Sequence, residues 1–151
     1  MLTEITGKMP RPRKIFHMSL FDFWQSLFRR KPRTLGQRGE DAAAAFLLKL
    51  KYRILHRNYS IAGGELDIVA LTPERTLVIV EVKTRENETL VRPEQAVDRA
   101  KQEQLFRIAA AYIKRYHLQN DPVRYDIVGV IWPDGKKKPL IRHWPAALRM
   151  E

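Results

Sequence analysis

The chain has 151 residues, 30% of them charged and 44% hydrophobic, a formal net charge of +11 and no cysteine. That length allows one domain with a real core plus an appendage, and the missing thiols exclude disulfides, thiolate zinc sites and cysteine nucleophiles. No apolar run approaches the roughly 20 residues of a membrane span and no signal-peptide pattern is convincing, so a soluble, cytoplasmic protein without a transmembrane segment is expected. The positive charge points to a polyanionic partner. Eight Lys/Arg against two Asp/Glu fall in residues 1–33, which therefore carry over half of the excess.

Residues 1–34 read as a basic, partly apolar extension, and 35–151 as the domain. Residues 1–14 lack periodicity and are expected to be disordered. Residues 15–28 (IFHMSLFDFWQSLF) are dense in large apolar groups and predict a short helix, followed by the basic run of 29–33. Such a helix suits packing on the domain or surface and partner contact through 15–33. Met18 is a second candidate initiator. Pro32 to Leu35 reads as a linker.

The domain opens with an Ala/Leu-rich helix from about Arg38 to Leu50. It places Glu40 and Asp41 in the first turn, where acids complement the helix dipole. Strands are expected over 52–61, in the stretch ending at Leu71, and over 76–83, the last two joined by the turn Thr72-Pro73-Glu74-Arg75. A long helix opens at Pro93 and buries Val97, Ala100, Leu105, Ile108, Ala109, Tyr112, Ile113 and Tyr116. Strands over 124–131 and 139–144 follow as a hairpin, and PAALRME is expected as a helical stub. The order α-β-β-β-α-β-β predicts an α/β fold with one mixed sheet flanked by helices.

Chemistry concentrates in GGELDIVALTPERTLVIVEVKTR, residues 63–85. Alternation puts Leu77, Ile79, Glu81 and Lys83 on one face of the third strand and Val78, Val80 and Val82 on the other. In the second strand it groups Leu66, Ile68 and Ala70, with Glu65 and Asp67 opposite. A short turn would set Asp67 beside Glu81 at the far ends of adjacent strands. Carboxylates ending apolar strands need cations or solvent. Mg²⁺ (or Mn²⁺) held by hard oxygens meets that need, with Lys83 close enough to reach a phosphate or an attacking water. A structural ion pair at the sheet end accounts for the same residues. Arg85, Gln95 and Lys101 are candidate phosphate contacts, although solvated positions explain them equally. The four histidines lack paired metal spacing. Trp132, Trp144 and Tyr125 read as core residues rather than stacking partners. Lys136–Lys138 reads as a solvated hairpin tip.

The pattern Asp67…Glu81-Val82-Lys83 resembles the D…(D/E)-x-K core of restriction-endonuclease-like nucleases. The wider string is similar to the YraN-like family of uncharacterised bacterial proteins. It comprises Gly39-Glu40, Arg57-Asn58, Gly64-Glu65-Leu66-Asp67-Ile68-Val69 and Val80-Glu81-Val82-Lys83-Thr84-Arg85, within about 35–131. By way of archaeal Holliday-junction resolvases, the resemblance implies a metal-dependent nuclease acting on DNA rather than RNA, with branched or single-stranded substrates. It gives Asp67, Glu81 and Lys83 catalytic roles, makes Glu40, Asp67 and Glu81 metal ligands, and suggests a homodimer; Glu65, placed by alternation on the face of Asp67, is expected to extend the metal shell. The alternative is an inactive nucleic-acid-binding or protein-interaction module on the same fold.

Overall fold

A computed structural model describes residues 33–86, 97–133 and 137–149. The expected helix over 15–28, the opening of the second helix at Pro93, Gln95 and Lys136 lie outside them. The elements run α1 (Leu35–Lys49), β1 (Arg53–Ile61), β2 (Gly64–Leu71), β3 (Leu77–Arg85), α2 (Arg99–Arg115), β4 (Val123–Ile131) and β5 (Leu140–Leu148). The five strands form one sheet in chain order. Neighbours are antiparallel except β3 and β4, which run parallel over nine consecutive pairs from Leu77↔Val123 to Arg85↔Ile131. That parallel pair requires a crossover, and α2 supplies it. The α/β class, the mixed sheet and the element order all match expectation.

Among the described residues, one helix covers each face. Ala43, Ala44 and Leu47 of α1 pack on Ile68, Ala70, Val78, Val80, Val128 and Val130. Leu105, Ile108, Ala109 and Tyr112 of α2 pack on Leu66, Val69, Leu77, Ile79 and Ile127 on the other side. The central strands β2, β3 and β4 are therefore buried on both faces and read as near-continuous apolar runs. Each fully buried Leu, Ile or Val stabilises the fold by about 1.5–3 kcal/mol, so the charged residues that interrupt these strands stand out.

Both helices start elsewhere than periodicity suggests. Thr34 caps α1: its hydroxyl accepts from the Gln37 N–H, and the Gln37 side chain accepts from the Thr34 N–H, a reciprocal capping box. Leu35 is thus helical rather than linker, and Glu40 and Asp41 sit beyond the first turn, where the helix-dipole explanation loses its hold. Asp41 instead pairs with Arg33 and, at 2.7 Å, with Arg57. Asp98 caps α2 by accepting from the Lys101 N–H at 2.8 Å, so Val97 is buried ahead of the helix while Ala100 is exposed. The tail is not a helical stub. Residues 145–148 continue β5, with a register shift opposite Tyr125–Ile127 and a positive φ of 52° at Ala146.

One local correction bears on chemistry. Leu66 packs with Val69 and Leu71 on the α2 face, whereas Ile68 and Ala70 pack under α1. The alternation slips by one residue at Asp67. Facing it in β1, between the pairs Arg57↔Ile68 and Tyr59↔Leu66, Asn58 takes a left-handed φ of 50°. On the other side the β2–β3 register ends at Ile68↔Val80, which leaves the Asp67 side chain free to bond main chain.

Candidate carboxylate–lysine site

Glu81 and Lys83 sit on the α2 side of the sheet, at the end of β3 away from the β2–β3 turn, and Asp67 lies alongside on β2, close enough for the Glu81 charge to act on it. The Asp67 carboxylate accepts the Val82 N–H at 2.7 Å, continuing the ladder with a side chain. Glu81 is 3% exposed. Its Oε1 accepts from Lys83 Nζ at 2.8 Å and lies 3.8 Å from Lys101 Nζ, while Oε2 is buried with no partner. Burial pushes the Asp67 carboxyl up to about 7. The Glu81 charge adds to this and Glu40 contributes further, while the Val82 N–H and Lys101 act against it.

Glu40 approaches from the α1 side because Gly39 brings that helix hard against β3. A Cβ on Gly39 would overlap the Thr84 side chain, so no larger residue fits this contact. Glu40 is half-buried and its charge acts on Asp67.

Lys101 was expected to contact phosphate, and the structure places it beside Glu81. It stands in the first turn of α2, the crossover between β3 and β4. Arg85 is exposed at the end of β3, and its carbonyl accepts the Trp132 backbone N–H at 2.8 Å. Glu65 is exposed on β2, two residues before Asp67.

Among the described residues, no three His, Asp or Glu side chains gather closely enough to enclose a metal ion. The donor set nevertheless fits a divalent cation on two observations: the buried, unpartnered Oε2 of Glu81 and the costly crowding of Asp67 by Glu81. A hard cation would satisfy the first and relieve the second, with water and phosphate completing its shell. Asp67 and Glu81 would hold it, and Glu40 would add charge.

Sequence reasoning missed a second buried acid. Asp126 on β4 is fully buried under the α1 face. Arg124 grips it through Nε at 2.8 Å and Nη2 at 2.9 Å, His143 Nε2 lies 2.8 Å away, and the Ala146 N–H donates at 2.9 Å. Arg124 also donates to the Tyr52 hydroxyl at 2.8 Å. Burial alone would raise this carboxyl, but the bonds from His143, Arg124 and Ala146 outweigh it and hold the group below its ordinary range. Arg124 at an alternate position, Arg-Tyr-Asp, was the available signal.

The sheet and its polar end define an α/β protein with a carboxylate–lysine site at the junction of an antiparallel and a parallel strand pair. The chain belongs to the uncharacterised protein family UPF0102, whose family model matches residues 39–130. It is 45% identical over 104 residues to a UPF0102 protein of Pelobacter propionicus, covering 68% of this chain and 74% of that protein. It is 48% identical over 101 residues to one of Bacteroides thetaiotaomicron, covering 67% and 82%. A structure described as an EndoMS–dsDNA2 complex aligns with a TM-score of 0.37 and 17% identity, over 64% of this chain and 37% of that one. No helix among the described residues is long and apolar enough to cross a membrane.

Proposed function

We propose that the protein is a metal-dependent nuclease that hydrolyses phosphodiester bonds in DNA, with single-stranded or branched DNA as its substrate. The observation that carries this reading is the convergence of Asp67, Glu81 and Lys83, with one buried Glu81 oxygen left unpartnered. When bound, Mg²⁺ or Mn²⁺ supplies Lewis-acid charge and a water of lowered pKa. The chain's own residues do the rest. The Val82 N–H fixes the Asp67 carboxylate, and Lys83 fixes Glu81. Lys83 and Lys101, each about one-third exposed, offer ammonium groups to the non-bridging oxygens of a phosphate, where negative charge develops during displacement. Lys83 can also hold the attacking water by hydrogen bonding.

The test is a screen of duplex, single-stranded, branched and RNA substrates with Mg²⁺ or Mn²⁺. Turnover by the wild type is expected. Glu81→Ala should abolish it, with circular dichroism unchanged, and Asp67→Asn should lose metal binding by titration. No cleavage of any substrate would remove the enzymatic reading.

One observation favours a second reading, a nucleic-acid-binding module without turnover: Glu81 already has two lysines beside it. In that case removing residues 1–33 should cost most of the affinity and its salt dependence, whereas a nuclease would keep metal-dependent turnover.

A further inference from the structure

Trp132 reads as a core residue by composition, yet its surroundings are those of a surface ledge. It follows β4 directly and is only partly buried, its ring packing at the margin of the apolar layer under α1. The Arg38 guanidinium lies over this ring, 4.1 Å from the centroid. Arg38 is exposed, so the indole holds in place a cationic group that solvent can reach.

Two contacts fix the ledge at the end of β3, on the α1 side, across the sheet from Glu81 and Lys83. The Trp132 backbone N–H donates to the Arg85 carbonyl at 2.8 Å, tying the end of β4 to the end of β3. Gly39, next to Arg38, sits against Thr84, next to Lys83. The residue on the other side of Gly39 is Glu40, whose charge acts on Asp67. Thr84 faces α1 and Lys83 faces α2, so the ledge and the lysine flank the end of β3 from opposite sides of the sheet, and a strand whose phosphate rests on Lys83 reaches the Arg38 cation by passing over that end, past the exposed Arg85.

We propose that Arg38, laid on Trp132, is a stacking platform for an unpaired base of a nucleic-acid strand that passes over the end of β3 to the carboxylate–lysine site on the other side of the sheet. This deepens the nuclease reading and rests on its claim that the partner is nucleic acid. A guanidinium plane accepts any base by stacking and reads no sequence. It reaches only bases outside a duplex stack, so the platform selects strands with single-stranded character. Charge brings the strand in, and the plane asks whether a base is free.

The experiment separates stacking from charge. Fluorescence anisotropy of the full chain, with metal chelated so that strands stay intact, compares an ordinary single-stranded oligonucleotide with one of equal length made of abasic nucleotides. Both carry the same phosphates. The wild type should bind the ordinary strand about tenfold more tightly. Arg38→Lys keeps the charge and loses the plane, and should erase that preference while binding the abasic strand as the wild type does. Trp132→Leu should act in the same direction. If both variants keep the wild-type preference, or the wild type has none, the platform is overturned while the nuclease reading stands on its own cleavage assay. If the wild type binds neither strand, the nucleic-acid reading falls and takes the platform with it. Should Trp132→Leu fail to fold, Arg38→Lys alone decides between these outcomes.

Discussion

Two buried carboxyl sites lie back to back on the parallel pair. Asp126 of β4 is paired with Val80, and Glu81 of β3 with Ile127, but they serve opposite faces and are treated oppositely. Each oxygen of Asp126 has two partners, and its carboxyl is held below the ordinary range. Glu81 has an oxygen with no partner, and the neighbouring Asp67 is pushed up to about 7. A buried acid that is fully bonded stabilises a unique arrangement, whereas one left short is a stability cost with a function to explain it. Burial alone does not separate the two; counting the partners of each oxygen does.

The sharpest way to break the comparison is to remove each acid in turn. Asp126→Ala leaves a half-buried guanidinium and a buried His143 without their acceptor and should cost about 3 kcal/mol in urea unfolding. Glu81→Gln keeps the shape and removes a buried charge whose lysines, one-third exposed, can turn to solvent, so it should cost clearly less than Asp126→Ala and should stop turnover. If Glu81→Gln destabilises as much as Asp126→Ala, the carboxylate–lysine site is structural after all.

Acid titration sharpens the contrast by its sign. The folded pKa of Asp67 is raised, so below about pH 4 the group contributes nothing. Between about 4 and 7 the unfolded chain gives up a proton that the folded one keeps, and stability falls as pH rises. In chelator the thermal midpoint should therefore drop across that window, and millimolar Mn²⁺ should remove the drop by favouring the ionised carboxylate. Asp126 is the reverse case: its stabilisation is present above about pH 4 and is lost as pH falls through its depressed folded value. Asp67→Asn should flatten the first slope and leave the second.

Two smaller effects test how the site is supported. Gly39→Ala forces α1 away from Thr84, which should cost about 1–3 kcal/mol and weaken metal binding through Glu40, read by thermal shift and by titration. Thr34→Ala removes only the cap of α1. It should cost about 1 kcal/mol and leave both metal affinity and turnover as they were.

Most of the architecture was legible because alternation and a short turn are local. They suffice to bring Glu81 and Lys83 to one face and Asp67 beside them. Pairing two helices to two faces also follows from apolar strands that demand cover on both sides. What escaped was non-local or small. The slip at Asp67, opposite the left-handed Asn58 of another strand, breaks an alternation that a window reads as continuous, so the face assigned to Leu66 was wrong. Helix starts were set by the caps Thr34 and Asp98, weak beside the Ala/Leu and apolar patterns that dominate a window. The partners of Asp126 lie as far off as His143 and Tyr52, invisible to spacing. Lys101 reaches Glu81 only because the crossover helix lies over β2, beside β3, which the order of elements implies but whose rotation it leaves open.

The nine-pair parallel ribbon of β3 and β4 makes the two acid sites mechanically one object. Whatever loosens the clamp behind the ribbon also slackens the floor on which Glu81 stands. Variants at Arg124 or His143, remote from any phosphate, should therefore register as lost metal affinity before the protein melts.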